Sequence, residues 1–282
     1  MCHHPAQMHR MTRVTHIMGI MLMLCMWAVE LTAQSRGENF DHDVDVFVQD
    51  AADIFTSPGD FTSDDWLKVG ALVAVAAAAY TVDDDVRDWA QDWRTPEWDD
   101  LLAPGDWYGN GLFNSGFAIG MYAGGLISDD EWTRVTGRTL LQSQMYSALA
   151  SQLLKFTIGR ARPDMNEGKH SFNPFVFDMD YHSHPSGHAT SAFAFSTTLS
   201  RRVGNVPFSV LLYALSSLTV LQRIESDRHW LSDTIVGSVL GTVIGIAVVQ
   251  AEERREQEEA ERLPIMAGFS PHRPLYGVTL SF

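Results

Sequence analysis

Six apolar stretches of helical length fill the sequence between residues 66 and 260 and limit the folds that this chain can adopt. They are rich in Ala, Val, Leu, Ile and Gly, and short segments with polar residues, Pro or Gly separate them. Such stretches are typical of helices that pack against one another. The predicted helices are 66–82, 112–127, 131–160, 187–203, 207–225 and 230–260. We therefore expect an all-α fold, a bundle of about six helices.

Glycines recur at every fourth position within two of these predicted helices. Small residues at this spacing allow helices to approach closely, in soluble bundles and in membranes alike. The two sets are Gly116, Gly120 and Gly124, and Gly237, Gly241 and Gly245.

The first 33 residues have the layout of a signal peptide. Arg10 and Arg13 supply a basic start, residues 17–29 form an apolar stretch, and small residues precede a cleavage point after Ala33. An uncleaved membrane anchor is the alternative. The two cysteines of the chain fall in this segment, so we expect no disulfide in the mature protein.

Three further segments have different compositions. Residues 34–63 are acidic and turn-rich, which favours an extended lead-in with an optional short strand at Val44–Val48. Residues 83–111 are predicted as a polar, tryptophan-rich connection, and residues 261–282 as a short tail resembling a β-hairpin. The helical domain is thus expected over residues 64–260.

The charge balance excludes two classes of partner. The chain has 20 Lys and Arg against 35 Asp and Glu, a formal net charge of −15. Such a surface excludes non-specific nucleic-acid binding and docking on anionic lipid through a basic patch. If the substrate is an anion, cations must be concentrated locally.

The first local concentration of positive charge is the motif KxxxxxxRP at residues 155–163. Lys155 and Arg162 are seven residues apart, so on a helix both would lie on one face, and Pro163 would end that helix. Two cations at a helix C-terminus also interact favourably with the helix dipole. Taken alone, this motif leaves a purely structural role open.

The second motif is PSGH at residues 185–188, directly before a predicted helix. The N–H groups of a helix N-terminus and a serine hydroxyl can bind an anion, although a simple N-cap is the alternative. His182 and His184 raise the option of a metal site with His188. No Asp or Cys ligand pattern accompanies them, so we expect no metal.

The third motif is RxxxxxHxxxD, formed by Arg223, His229 and Asp233. On a helix His229 and Asp233 would meet on one face, and a carboxylate bound to one imidazole nitrogen leaves the other nitrogen free to react. An N-capping role for Asp233 is the alternative.

In this order the three motifs resemble the signature of the type 2 phosphatidic acid phosphatase and vanadium haloperoxidase superfamily, from about residue 64 to residue 250. Two positions depart from the family pattern. Gln222 stands where the family often has serine, and His184 stands where a hydrophobic residue commonly precedes PSGH. Both changes leave the matched groups in place and bear on substrate access.

The resemblance implies a metal-independent phosphatase without a cofactor. His229 would attack phosphorus to form a phosphohistidine, Asp233 would orient it, and His188 would protonate the leaving oxygen and then activate water. Cations and N–H donors would stabilise the phosphoryl charge. The residues expected to bind the phosphate are Lys155, Arg162, Ser186, Gly187 and Arg223. Arg160 and Arg228 are left outside the expected site.

The sequence leaves competing functions and locations open. A vanadium haloperoxidase and a non-catalytic exported scaffold are the alternatives to a phosphatase, and the substrate is either a lipid phosphate or a soluble ester. The predicted apolar cores run 12–16 residues, shorter than the roughly 20 needed to span a membrane. An exported start followed by six spans would also place catalytic loops in the cytoplasm, unlike the family's membrane members. We therefore expect an exported periplasmic protein, with a membrane association or an integral inner-membrane protein with a periplasm-facing site as the alternative.

Overall fold

The structure, a computed structural model, describes residues 36–262. These residues divide into two units, 36–49 and the segment from Asp50 onward. Within 36–262 the regular structure is helical, and pairing between extended segments is limited to an isolated bridge between Arg160 and Phe172. The prediction of an all-α fold is confirmed.

The helices alternate with short connections. In chain order they are α1 (36–56), α2 (Ser63–Thr81), α3 (Asp83–Trp93), α4 (Pro96–Gly109), α5 (Gly111–Ser128), α6 (Glu131–Ile158), α7 (Gly187–Val203), α8 (Val206–Glu225) and α9 (Leu231–Arg262). Single 3₁₀ turns lie at Ser57–Asp60, Pro163–Met165 and Met179–Tyr181. The six predicted helices correspond to α2 and α5–α9.

Two predicted segments are wrong. The lead-in is not extended, because residues 36–56 are helical, and Phe40, Val44 and Phe47 recur at helical spacing. The supposed connection 83–111 consists largely of α3 and α4. The predicted signal peptide and β-hairpin-like tail lie outside the described residues, apart from the last two residues of α9.

The acidic start of α3 and a proline at the start of α4 explain the two unexpected helices. Asp83, Asp84 and Asp85 occupy the first turn of α3, where negative charge interacts favourably with the helix dipole. Pro96 lies in the first turn of α4, where its missing N–H costs no hydrogen bond.

The two sets of glycines behave differently. A Cβ added at Gly241 would lie 2.1 Å from the Thr190 carbonyl oxygen, and one at Gly237 would lie 2.5 Å from that of Ser186. Backbone contact between α9 and α7 therefore depends on these glycines. A Cβ added at Gly120 would meet no atom within 4 Å, and the same is true at Gly116 and Gly124.

A buried apolar cluster joins α5, α6, α7 and α8, and it contains Ala118, Leu140, Phe195, Leu199 and Leu212. The three motifs lie at one end of the helices around this cluster. They occupy the C-terminus of α6 with the segment after it, the N-terminus of α7, and the α8–α9 connection with its flanking turns.

Two of the described helices are long and apolar enough to cross a membrane. The best 18-residue windows of α8 and α9 have mean hydropathies of 1.2 and 1.9. The bent pair α2–α3, with 55° between its parts, would be a third. The expectation that all apolar cores are too short to span is therefore wrong for α8 and α9.

Candidate active site

The segment after α6 forms around a glycine that no other residue can replace without a clash. Gly159 ends α6 with φ of +58°, and a Cβ there would lie 1.9 Å from the Asn173 carbonyl oxygen. The chain turns away from the helix at this point, so Arg162 is not on the helical face of Lys155 as the sequence spacing predicts. Two hydrogen bonds instead hold Arg162. Its backbone N–H donates to the backbone carbonyl of Asp180, and its Nε donates to the backbone carbonyl of Met179 at 3.0 Å.

Lys155 lies in the last turn of α6, beside the start of α7. It is buried, and its Nζ lies 3.1 Å from the position that a Cβ on Gly187 would occupy. Burial lowers the pKa of Lys155 to about 8, and the nearby positive charge of Arg162 adds to this shift. Two cations held close together in this way favour an anion between them.

The second motif is joined to the third through backbone contacts. Ser186 is fully buried and caps α7, with its Oγ accepting from the Ala189 N–H at 3.4 Å. The Ser186 N–H donates to the Asp233 carbonyl at 3.0 Å. Ser186 can still donate its hydroxyl proton, and Gly187 presents one of the N–H groups that a helix N-terminus leaves without an intrahelical acceptor.

His229 is held by a backbone carbonyl. Its Nδ1 lies 2.7 Å from the Ser183 carbonyl oxygen, whereas the closest carboxylate oxygen of Asp233 is 3.9 Å away. Nδ1–H therefore donates to Ser183, and Nε2 is the nitrogen left for chemistry. The direct contact expected from the i,i+4 spacing is replaced by an indirect one, because the Ser183 hydroxyl donates to Asp233 at 2.6 Å.

Asp233 is the centre of a buried polar network. Besides the bond from Ser183, its carboxylate accepts hydrogen bonds from Nη1 of Arg160 at 2.7 Å and from the Trp230 N–H at 3.1 Å. The carboxylate also lies 2.8 Å from Nδ1 of His184. A carboxylate with this many donors is held ionised and fixed in position. Arg160 is not part of the site predicted from the sequence, but in the structure it contacts Asp233.

Arg160 also ties α3 to the site. Its Nη2 donates to Asp83 at 2.8 Å, and the guanidinium lies over the rings of Tyr80 and Trp230, 4.7 and 5.1 Å from their centroids. Asp83 in turn accepts from the N–H and hydroxyl of Ser232 at 2.9 and 2.7 Å. Both ends of the Arg160 guanidinium therefore have hydrogen-bond partners inside the protein. This indicates that Arg160 positions Asp233 and does not bind substrate itself.

The region that carries all three motifs matches a known family. Residues 137–257 match the sequence profile of the PAP2 superfamily. This part of the chain is similar to the PAP2 superfamily. The resemblance read from the motifs is thus confirmed.

Two curated relatives are similar over this region. A lipid A 1-phosphatase of Porphyromonas gingivalis is 31% identical over 114 residues, which are 39% of this chain and 23% of that protein. A lipid A 1-phosphatase of Rhizobium etli is 34% identical over 107 residues, 37% of this chain and 45% of that protein. The matched part is thus less than half the length of either relative.

A solved structure shares the fold. It is described as the first transmembrane PAP2 type phosphatidylglycerolphosphate phosphatase from Bacillus subtilis, with a TM-score of 0.50 and 19% identity. The match covers 75% of this chain and 96% of that one.

His188 of the PAP2 region lies among positive charges. Burial lowers the pKa of its imidazole to about 3, and the charges of Arg223, His229, Lys155 and Arg162 act in the same direction. Burial also lowers the pKa of His229 to about 4, which Asp233 partly opposes. Residues of the other two motifs thus lie close enough to His188 to influence its protonation.

Asp106 of α4 is a site residue that the sequence analysis missed. Its carboxylate contacts Nη2 of Arg223 and lies 3.4 Å from Nε2 of His188. It therefore balances positive charge where the phosphate is expected to bind, and it favours the protonated form of His188. No motif contains Asp106, and its segment was predicted as a connection without helices.

Arg87 of α3 is a second positioning residue from that segment. Its guanidinium donates twice to Asp227, both at 2.7 Å, and once to Asn166 at 2.8 Å. These contacts clamp the loop before His229 to the segment after Arg162. Arg228 forms an exposed ion pair with Asp164 at 3.0 Å.

The three histidines near PSGH do not converge on one point. His182 Nε2 lies 3.0 Å from the Val176 carbonyl oxygen, His184 contacts Asp233, and His188 contacts Asp106. Within residues 36–262 no group of three or more His, Cys, Asp or Glu side chains is arranged to hold a metal ion.

Proposed function

We propose that this protein is a metal-independent phosphatase that hydrolyses the phosphate monoester of a membrane lipid through a phosphohistidine on His229. One observation carries the proposal. A buried histidine, His229, has its Nδ1 fixed by a carbonyl and lies within the electrostatic influence of Lys155 and Arg162, and the same two cations act with Arg223 on His188.

The geometry supports a two-step displacement. Lys155, Arg162 and Arg223 stabilise the phosphoryl oxygens, and Nε2 of His229 forms a bond to phosphorus while the bond to the alcohol oxygen breaks. His188 supplies the proton that the alcohol leaves with. In the second step His188 removes a proton from water, the water oxygen bonds to phosphorus, and the P–N bond breaks to release inorganic phosphate.

The lipid part of the proposal is supported by the surroundings of the site. Two described helices are long and apolar enough to span a membrane, and both flank the third motif. The two relatives are named for activity on a lipid. We place the catalytic end on the periplasmic side, as in the integral-membrane alternative that the sequence analysis left open.

Phosphate release by the purified full chain in detergent tests this proposal. Release from a lipid phosphate should persist in EDTA and be blocked by vanadate, which mimics five-coordinate phosphorus. His229→Ala should abolish release, whereas His170→Ala, which removes an exposed imidazole bonded to Tyr80, should retain it. Loss of activity in EDTA that one divalent cation restores would contradict the proposal.

A further inference from the structure

The segment between the first two motifs displays large apolar side chains to the outside. The most exposed of them is Phe177, of which 87% is accessible. The exposed members, which we call the apolar patch, are Phe172, Phe175, Phe177 and Met179. Exposed apolar side chains that cluster in this way mark an interaction surface.

Hydrogen bonds to the end of α6 fix the backbone of this segment. The Phe175 N–H donates to the Phe156 carbonyl at 2.7 Å, and the Asn173 N–H donates to the Gly159 carbonyl at 2.6 Å. Phe175 has a φ of +63°, which is unfavourable for a bulky side chain and persists only where the surroundings hold it. The rings of the apolar patch are therefore presented outward by a fixed backbone.

The apolar patch continues an exposed apolar stripe of α6. Met145, Leu149 and Leu153 are about half exposed and share one face of the helix, because they are four residues apart. Phe156 follows on the same face, and its ring contacts those of two patch residues at centroid distances of 5.7 and 4.7 Å. From Met145 to Phe156 the stripe is about 17 Å long at 1.5 Å per residue. One apolar surface thus runs along α6 and onto the patch.

The level of the patch in the bundle indicates which partner covers this surface. Nε1 of Trp230 donates to the Ala161 carbonyl at 3.0 Å, so the segment after α6 lies level with the start of α9 at Leu231. Because α9 is long and apolar enough to cross a membrane, its start would lie near the boundary between lipid and water. Phe and other apolar side chains enter a bilayer at this boundary.

The charges of the segment favour the apolar layer of the bilayer over its anionic headgroups. Residues 172–179 contain no Lys or Arg, and Asp178 is their one charged residue. Attraction to anionic lipid requires basic side chains, so contact with lipid must come from the apolar side chains themselves.

We infer, on the basis of the proposed function, that the apolar patch inserts into the adjoining leaflet of a lipid bilayer and anchors the catalytic end at the depth of the headgroups. The patch is joined directly to the site, because the Met179 carbonyl accepts from Nε of Arg162 and the Asp180 carbonyl accepts from its N–H. Insertion therefore holds the phosphate-binding Arg162 at the level where a membrane lipid carries its phosphate.

Fluorescence quenching on the full chain measures the depth of the patch. Phe177→Cys, combined with Cys2→Ser and Cys25→Ser, is labelled with nitrobenzoxadiazole and placed in phosphatidylcholine nanodiscs. The two quenchers are a phosphatidylcholine with a nitroxide near its headgroup and iodide in the water. Arg228→Cys in the same background is the matched control, because this exposed residue lies at the same end in the loop before His229. The ratio of lipid to iodide quenching should be several-fold higher at position 177 than at position 228.

A ratio at position 177 no higher than that at position 228 would overturn the inference, because the patch would then face water. Quenching by neither agent would also overturn it, because a second copy of the chain or residues 263–282 would then cover the patch. Failure of the chain to enter nanodiscs would do the same. If circular dichroism shows that the Phe177→Cys variant is unfolded, a label on Met179→Cys decides by the same ratio. The readout does not use catalysis, so absence of phosphate release would contradict the proposed function alone.

Discussion

At the residue scale, the lowered pKa values of the two histidines determine where the first proton comes from. With values of about 4 for His229 and about 3 for His188, both imidazoles are neutral above pH 4. His229 is then ready to attack, but His188 holds no proton of its own. The proton must enter with the substrate as the monoanion of the phosphate ester, whose second pKa is about 6. Transfer of this proton to His188, favoured by Asp106 and by the bound negative charge, restores the general acid.

This proton source predicts an acidic optimum. The value of kcat/KM should rise as the pH passes above about 4, because His229 loses its proton there. It should fall above about 6, because the ester becomes a dianion and brings no proton. A pH profile of phosphate release from an alkyl phosphate measures both limbs. A profile that stays level to pH 8 would show that His188 is protonated independently of the substrate.

His188→Ala should distinguish leaving groups. An alkyl phosphate releases a strongly basic alkoxide that needs a proton, whereas a nitrophenyl phosphate releases a stable anion. General-acid assistance is typically worth roughly 10²- to 10⁴-fold, so the variant should lose about this much more on the alkyl ester. Burst rates must be compared, because His188 also acts in the second step. Equal losses on both esters would contradict the assignment.

At the scale of helices, the sequence predicted the motif-bearing elements well and their supports poorly. The apolar runs and caps of α6, α7, α8 and α9 are local signals, so these helices were predicted within a few residues. Asp83, Arg87 and Asp106 come from α3 and α4, whose polar, tryptophan-rich sequence resembles a connection. Their partners lie more than 70 residues away along the chain, and no local pattern records such contacts. Likewise, the i,i+4 spacing suggested a direct Asp233–His229 bond, whereas the fold brings Ser183 between them.

The two glycine sets allow a matched test of helix packing. Gly237→Ala should destabilise the protein by about 1–3 kcal/mol and lower activity, because the new methyl group would push against the Ser186 carbonyl. Gly120→Ala adds the same methyl group where no atom lies within 4 Å and should be neutral or slightly stabilising. Thermal unfolding and phosphate release measure both effects. Similar behaviour of the two variants would show that α7 and α9 do not meet at Gly237.

At the scale of the whole molecule, the catalytic chemistry lies at one end of long helices. Helix α6 has 28 residues, so Glu131 at its start lies about 40 Å from its catalytic end. Helices α8 and α9 are long and apolar enough to cross a membrane. The structure thus favours the integral-membrane alternative over the soluble bundle that the sequence analysis preferred.

Cysteine labelling in intact cells tests both the span and the side. Arg228 and Glu131 are exposed at opposite ends, and the cysteines of the chain lie within its first 33 residues. A membrane-impermeant maleimide should label Arg228→Cys in intact cells, and Glu131→Cys after the inner membrane is permeabilised. Labelling of both in intact cells would contradict the membrane span, and the reverse pattern would place the site in the cytoplasm.

The central claim is that phosphate passes through His229. The His188→Ala variant, mixed with a nitrophenyl phosphate and quenched in base, should accumulate the intermediate, because formation does not need the acid but hydrolysis needs the base. Mass spectrometry of the digested protein should then find phosphate on His229 and none in the double variant His188→Ala, His229→Ala. Phosphate on another residue, or a burst of nitrophenolate without any phosphorylated peptide, would contradict the account.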